Sequence, residues 1–206
     1  MRFRLTFQKT PAMRFTGHLD LQHTWMRALR RAGIALEHSQ GFHPLPKIQL
    51  ASALPLGCTG TAEILDIWTE AEWQPAQLEQ QLQAVLPPGI KLIQAQQIDP
   101  SAPKVQVALR AQEYLVELPL ETDAVALDQR VRALLAVAES MAERRGKPVN
   151  IRPLIQELQI SQAELRVTLF CRLSAQESAT GRPDEVLAAL GIDSAACQIE
   201  RTRLIF

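Results

Sequence analysis

The amino-acid sequence predicts an α+β protein made of two tandem domains, each an antiparallel sheet with two helices. Three observations carry this expectation. Short runs alternate apolar and polar residues with the period of a strand, and between them lie apolar stripes with the period of a helix. In the first half these segments follow one another as β-α-β-β-α-β, the split βαβ or ferredoxin-like plan. The second half repeats that plan, without evident sequence identity, after Asp99-Pro100-Ser101-Ala102-Pro103, which reads as a linker. The domains are therefore expected at residues 1–99 and 104–206. A chain of 206 residues with 47% hydrophobic side chains suits two domains of about 100 residues each.

Each element has its own signal. Met1, Phe3, Leu5 and Phe7 alternate with Arg2, Arg4, Thr6 and Gln8, so the first strand has one apolar and one polar face. A helix follows from about Asp20, with Leu21, Trp25, Leu29 and Ala32 in its stripe and Gly33 as its stop. A short strand is expected near Ile34–His38, then a Gly- and Pro-containing loop, then strands at Lys47–Ala53 and Ala62–Thr69. Pro75 opens a second helix lined by Leu78, Leu82 and Val85, which Pro87-Pro88-Gly89 ends. Ile90–Gln97 closes the first domain as a strand. In the second half the strands are expected at Glu113–Leu118, Val149–Leu158, Glu164–Leu173 and Gln198–Phe206. One helix starts near Thr122-Asp123, with Leu127, Val131, Leu134, Leu135 and Ala138 in its stripe. A shorter one starts at Arg182-Pro183-Asp184-Glu185 and is closed by Gly191.

The formal net charge is zero, which argues against a generic polyanion binder, but the charge is segregated. Residues 1–60 carry eight basic side chains (Arg2, Arg4, Lys9, Arg14, Arg27, Arg30, Arg31, Lys47) against two acidic ones (Asp20, Glu37), a net of +6. The remainder carries 14 basic against 20 acidic, a net of −6. Such asymmetry fits a basic binding surface on an otherwise acidic protein, and equally fits pairing of the two parts within the molecule. Cys58, Cys171 and Cys197 are odd in number and far apart, which suggests neither a disulfide framework nor a Cys-x-x-Cys metal site and fits a reducing cytoplasm. The N-terminus reads as a strand rather than a signal peptide. No run approaches the roughly 18 apolar residues of a membrane span. A soluble cytoplasmic protein without a membrane partner is expected.

The candidate chemistry gathers in the first domain. His18 and Asp20 fall at a strand-to-helix junction. Asp20 suits an N-cap, and His18 suits either an anion held at the positive helix end or a single structural hydrogen bond. Arg27, Arg30 and Arg31 are neighbours at i, i+3 and i+4, a compact cluster able to fork onto phosphate or simply to face solvent. Arg2 and Arg4 project from the polar face of the first strand, where modules of this fold bind RNA on an open sheet, usually with stacked aromatics. Phe3 and Phe7 point the other way, so that stacking motif is absent. The loop Ser39-Gln40-Gly41-Phe42-His43-Pro44 is stiffened by Pro44 and Pro46 and turned by Gly41, which suits recognition. His18, His38, His43 and Asp20 could ligate a metal, but their spacing is irregular and neither a metal nor a cofactor is expected. A general acid–base pair of His18 and His43 stays open, which leaves His18, Asp20 and His43 as the candidate catalytic residues. In the second domain Arg144, Arg145, Lys147 and Arg152 read as a solvated turn, diluted by Glu139 and Glu143.

Three signatures stand in order: Phe15-x-x-His18-Leu19-Asp20-Leu21, Arg27-Ala28-Leu29-Arg30-Arg31-Ala32-Gly33, and His38-Ser39-Gln40-Gly41-Phe42-His43-Pro44-x-Pro46-Lys47. Together they resemble the radical-SAM-linked domain family, a bacterial family of undetermined function whose members occur alone or fused to the C-terminal end of a radical-SAM protein. The resemblance is dense over residues 7–57 and continues more weakly through Gly146–Pro153 and Arg182-Pro183. Gly17 stands where many relatives have Ser, Pro11-Ala12 replaces a Gly-containing turn, and Asn150 replaces an expected Asp, which speaks against acid–base or metal chemistry there. The resemblance implies a radical-SAM protein as partner. The chain does not carry radical-SAM chemistry itself, which needs three closely spaced thiolates for an iron–sulfur cluster; its cysteines lie 113 and 26 residues apart.

The expected function is therefore a non-catalytic accessory protein of a radical-SAM system. It is expected to recognise RNA, or an RNA-containing assembly, through Arg2, Arg4, Arg14, Arg27, Arg30, Arg31 and Lys47, with His18, Asp20 and His43 lining the site. Two rival readings are a module presenting a protein or peptide substrate, and a ribonuclease or hydrolase using His18 and His43.

Overall fold

Phe3, Leu5 and Phe7 all lie on one face of β1 (Arg2–Lys9) and are fully buried in a computed structural model that describes residues 1–176 and 179–206. The architecture is mixed α+β, and the strand pairs within each of its two compact units, Met1–Leu109 and Arg110–Phe206, are antiparallel.

In the first unit β1 is followed by α1 (His18–Arg31), β2 (Ile48–Leu50), β3 (Cys58–Trp68), α2 (Pro75–Gln83), β4 (Ile90–Ile98) and the short α3 (Val105–Ala108). The sheet order is β4-β1-β3-β2. The apolar face of β1 meets Leu21, Trp25 and Leu29 of α1 and Leu78 and Leu82 of α2 in one core. Phe7 and Trp25 pack edge to face with ring centroids 4.9 Å apart. Burial of each such large side chain contributes about 1.5–3 kcal/mol, so this stripe decides which face of α1 turns inward.

Several boundaries in this unit move, among them the start of β3, which lies at Cys58 rather than Ala62. The helix begins at His18, with Gly17 as the N-cap, rather than near Asp20. The expected strand at Ile34–His38 is reduced to two isolated bridges, Leu36 to Thr69 and His38 to Pro46, and β2 shrinks to Ile48–Leu50. Gly41, with φ 134°, and the prolines at 44 and 46 prevent a continuous ladder there. Residues 99–103 do not hang as a bare connection. Arg2 donates to the carbonyls of Ala102 and Pro103, and the Gln106 side chain donates to the Leu50 carbonyl at 3.0 Å. This segment thus lies on the polar side of the sheet.

The second unit runs β5 (Ala111–Glu117), α4 (Ala124–Ala136), a hairpin of β6 (Met141–Arg144) and β7 (Lys147–Asn150), β8 (Ile155–Ala163), β9 (Arg166–Gln176), β10 (Ala179–Thr180), α5 (Pro183–Ala189) and β11 (Gln198–Ile205). The order of the long strands is β11-β5-β9-β8, the same permutation as in the first unit. Asp123 caps α4, accepting from the amides of Val125 and Ala126 at 2.9 and 3.1 Å. The expected strand at Val149–Leu158 is broken by a 3₁₀ turn at Arg152–Leu154, where Pro153 cannot donate to a ladder. Among the described residues no helix is long and apolar enough to cross a membrane.

Candidate functional site

α1 exposes a second face opposite its core stripe. His23, Met26, Arg27 and Arg30 recur at helical spacing along it. They form one wall of a cleft of about 650 Å³. Ile34 and Leu36, both largely buried, supply an apolar side just beyond Gly33, and His38, Pro46 and Glu70 complete the rim. Gly33 has φ 71°, the left-handed conformation that turns the chain back along the helix after Ala32. Arg27 reaches Thr24 Oγ1 at 3.4 Å, and no ion pair joins Arg27 or Arg30 to a carboxylate among the described residues. His38 Nδ1 lies 4.0 Å from Glu70 Oε1.

The loop of residues 39–45 rises from this rim. Ser39 N donates to the Leu45 carbonyl at 2.8 Å, and Leu45 N donates to Ser39 Oγ at 3.0 Å, closing the loop at its base. Gln40, Gly41, Phe42, His43 and Pro44 are all exposed beyond it, and Phe42 is fully so.

The remaining predicted cations are placed differently. Arg2 is 1% exposed: it donates to Asp66 Oδ2 at 2.7 Å and packs on the Trp68 ring at 4.9 Å. Arg4 donates to both Asp66 oxygens, at 2.8 and 3.0 Å. The expectation that these two arginines offer charge on an open sheet is therefore corrected for Arg2, which is buried against Asp66 and residues 102–103; Arg4 is tied to the same carboxylate with its side chain 26% exposed. Lys47 is ion-paired to Glu37 at 2.9 Å, and that hydrogen-bonded ammonium holds the Glu37 carboxyl below its ordinary pKa. Arg31 turns away from Arg27 and Arg30 and donates to the Val85 carbonyl at 2.9 Å, just beyond the end of α2. Arg14 is half-buried, its guanidinium 4.6 Å over the exposed Phe15 ring.

Asp20 does not cap α1; it is exposed in the first turn, where a carboxylate is favoured by the helix dipole. His18 is the first helical residue, while the base of the His43 loop lies beside Met26–Arg30, about 12–18 Å of helical rise further on. Neither His18, Asp20 nor His43 lines the cleft. Among the described residues no group of three or more His, Cys, Asp or Glu side chains is placed to hold a metal ion. His23 and Glu70 were missed from the sequence. His23 was legible, because residues 23, 27 and 30 share a face at i, i+4 and i+7; Glu70 was not, because a loop residue carries no periodicity.

In the second unit Arg144 and Arg152, expected in a solvated turn, are structural. Arg144 forks onto Glu185 and donates to the Thr180 carbonyl at 2.7 Å, and Arg152 donates to the Leu135 carbonyl near the end of α4 at 2.8 Å. Asn150 Oδ1 accepts from the amides of Ser140 and Arg152 at 3.0 and 3.1 Å, tying the turn together.

The model of a family described as "Uncharacterized protein conserved in bacteria (DUF2344)" matches residues 2–183. The chain belongs to this family. No curated protein matches the chain. Its fold is similar to that of a chain in the crystal structure of a Cbf5–Nop10–Gar1 complex, with a TM-score of 0.51 at 11% identity. That match covers 98% of this chain and 48% of the other, so the family member spans about half the length of the chain it resembles. A putative glycine cleavage system transcriptional repressor aligns at a TM-score of 0.25 and 11% identity, over 99% of this chain and 96% of that one.

Proposed function

We propose that this bacterial protein is a non-catalytic recognition module of a radical-SAM modification system in the cytoplasm, and that it grips RNA at the cleft beside α1. We further read both units as ferredoxin-like. The shared strand permutation, with the unit's fourth strand beside its first, followed by its third and then its second, supports that reading. The radical-SAM link rests on the three ordered signatures of the first unit.

The observation that carries RNA recognition is the pair Arg27 and Arg30, which face the cleft with no carboxylate partner among the described residues, while five other cations of residues 1–60 are bonded inside the molecule. Two guanidinium forks one helical turn apart suit two oxygens of a phosphodiester backbone. Phe42 and His43 on the adjoining loop supply the stacking surface that the sheet lacks. The test is fluorescence anisotropy of single-stranded RNA over a salt series. Binding should weaken steeply with salt, and R27A/R30A should lower the slope of log K against log salt by about 1.4. R203A, which removes an exposed cation of the second unit, should leave it unchanged. No binding at low salt, or a slope indifferent to R27A/R30A, would sink the RNA reading.

The exposure of Phe42 and Leu45 on the same loop favours a second reading, a module that docks a protein substrate or the radical-SAM protein. Capture of a radical-SAM protein that is lost in F42S, by a chain that binds no RNA, would establish it instead.

A further inference from the structure

We infer that the α1 cleft holds one nucleotide of the bound RNA and that Glu70 makes it select a base carrying an exocyclic amine, cytosine over uracil. The inference rests on the RNA reading above and adds a specificity-determining residue to it.

The argument is one of chemical complementarity. A cleft of about 650 Å³ falls within the size range of small-ligand pockets, roughly 300–1,000 Å³, and is ample for a nucleotide. Its lining has three parts. Arg27 and Arg30 offer donors to an anion, Met26, Ile34, Leu36 and Pro46 offer an apolar wall, and Glu70 offers a carboxylate at the rim. An occupant must therefore combine an anionic group, a flat or apolar body, and an N–H donor. An inorganic anion leaves the apolar wall uncovered. An acidic peptide satisfies the arginines but meets repulsion at Glu70. A nucleotide supplies all three from one covalent unit: phosphate, ring faces and a base edge.

Glu70 then discriminates among bases. An ionised carboxylate only accepts hydrogen bonds, so the edge facing it must donate. Cytosine presents its N4 amine, the usual partner of a Glu or Asp side chain. Uracil places the O4 acceptor at the equivalent position, and two acceptors repel. His38, its Nδ1 4.0 Å from Glu70 Oε1, stands beside the carboxylate as the group able to donate to the adjacent ring nitrogen of cytosine. Both side chains are half-exposed or more, so they can adjust to a ligand without disturbing the core.

The experiment compares oligocytidylate with oligouridylate of equal length on the full chain, wild type and E70Q, across the same salt series. The wild type should prefer oligocytidylate roughly five- to hundredfold. E70Q, whose amide both donates and accepts, should bring the ratio close to one while keeping the salt slope and the melting temperature. Equal affinity in the wild type, a preference for uridine, or a preference untouched by E70Q would overturn the role of Glu70, and salt-sensitive binding surviving in those cases would leave the RNA reading standing. Absence of binding to either oligomer would remove both.

Discussion

Asp66 shows how much one residue decides. It is fully buried in β3, directly across from Arg4, and it satisfies two guanidinium groups that lie 64 and 62 residues away in the chain. Burying the charges of Asp66 and Arg2 is costly, and the hydrogen bonds of this cluster offset it. Removing the acceptor charge strands Arg2 inside the protein, since its other partners are the Ala102 and Pro103 carbonyls. D66N should therefore destabilise the protein by about 3–5 kcal/mol in urea denaturation. The partly exposed Glu37–Lys47 pair serves as the contrast: E37Q should cost no more than about 1 kcal/mol. Comparable losses in the two variants would mean that the Asp66 cluster is not held as described.

At the level of elements, the helices were legible in their stripes and the strands in their alternation, and the deviations sit where glycine and proline interrupt. The segment Ile34–His38 has strand-like composition, yet only isolated bridges form, because the chain must turn at Gly33 before it and at Gly41 after it. Gly89 is a second constraint of this kind. It leads into β4 with φ 99°, accepts from Thr10 N at 2.9 Å, and a Cβ there would lie 2.4 Å from Met13 Cγ. G89A meets both a left-handed backbone and a steric clash, so a loss of about 2 kcal/mol or more is expected. G146A, in the β6–β7 turn at φ 76° with nothing within 4 Å, has only the backbone term and should cost about 1 kcal/mol. Thermal unfolding of the two variants checks that order; the reverse order would contradict the packing of Gly89 on Met13.

For the whole molecule, pH probes the burial of ionisable groups within the units. Cys171 lies at the centre of the second unit's sheet, and burial pushes its thiol up to about 12 from 9.0. The folded state then keeps the proton over a range in which the unfolded chain releases it. The neutral thiol's contribution is fully present below pH 9 and is lost as pH rises from 9 towards 12. C171A should flatten the alkaline fall in stability across that window, as measured by urea denaturation at several pH values. An unchanged slope would show that the thiol is not shielded from water.

The distribution of charge separates what was written locally from what was not. A net of +6 over residues 1–60 is a fact of the sequence, but its availability is not. Lys9 is buried and donates to the Arg14 and Cys58 carbonyls, Arg31 reaches the end of α2, Lys47 holds Glu37, and Arg2 and Arg4 share Asp66. By itself the sequence determined the α+β class, the order of the main helices and long strands, and the core faces of β1 and α1, because backbone geometry imposes periods of 3.6 and 2 that any short window displays; the β6–β7 hairpin was not legible, and Ala138, expected in the stripe of α4, lies beyond that helix and is exposed. Only the tertiary structure decided that Arg27 and Arg30 face a cleft while Arg2 is buried and Arg4 is tied to Asp66, and that His23 and Glu70 join that cleft whereas His18 and Asp20 do not. Those outcomes depend on partners tens of residues away, and a local pattern records which way a side chain points but not what meets it there.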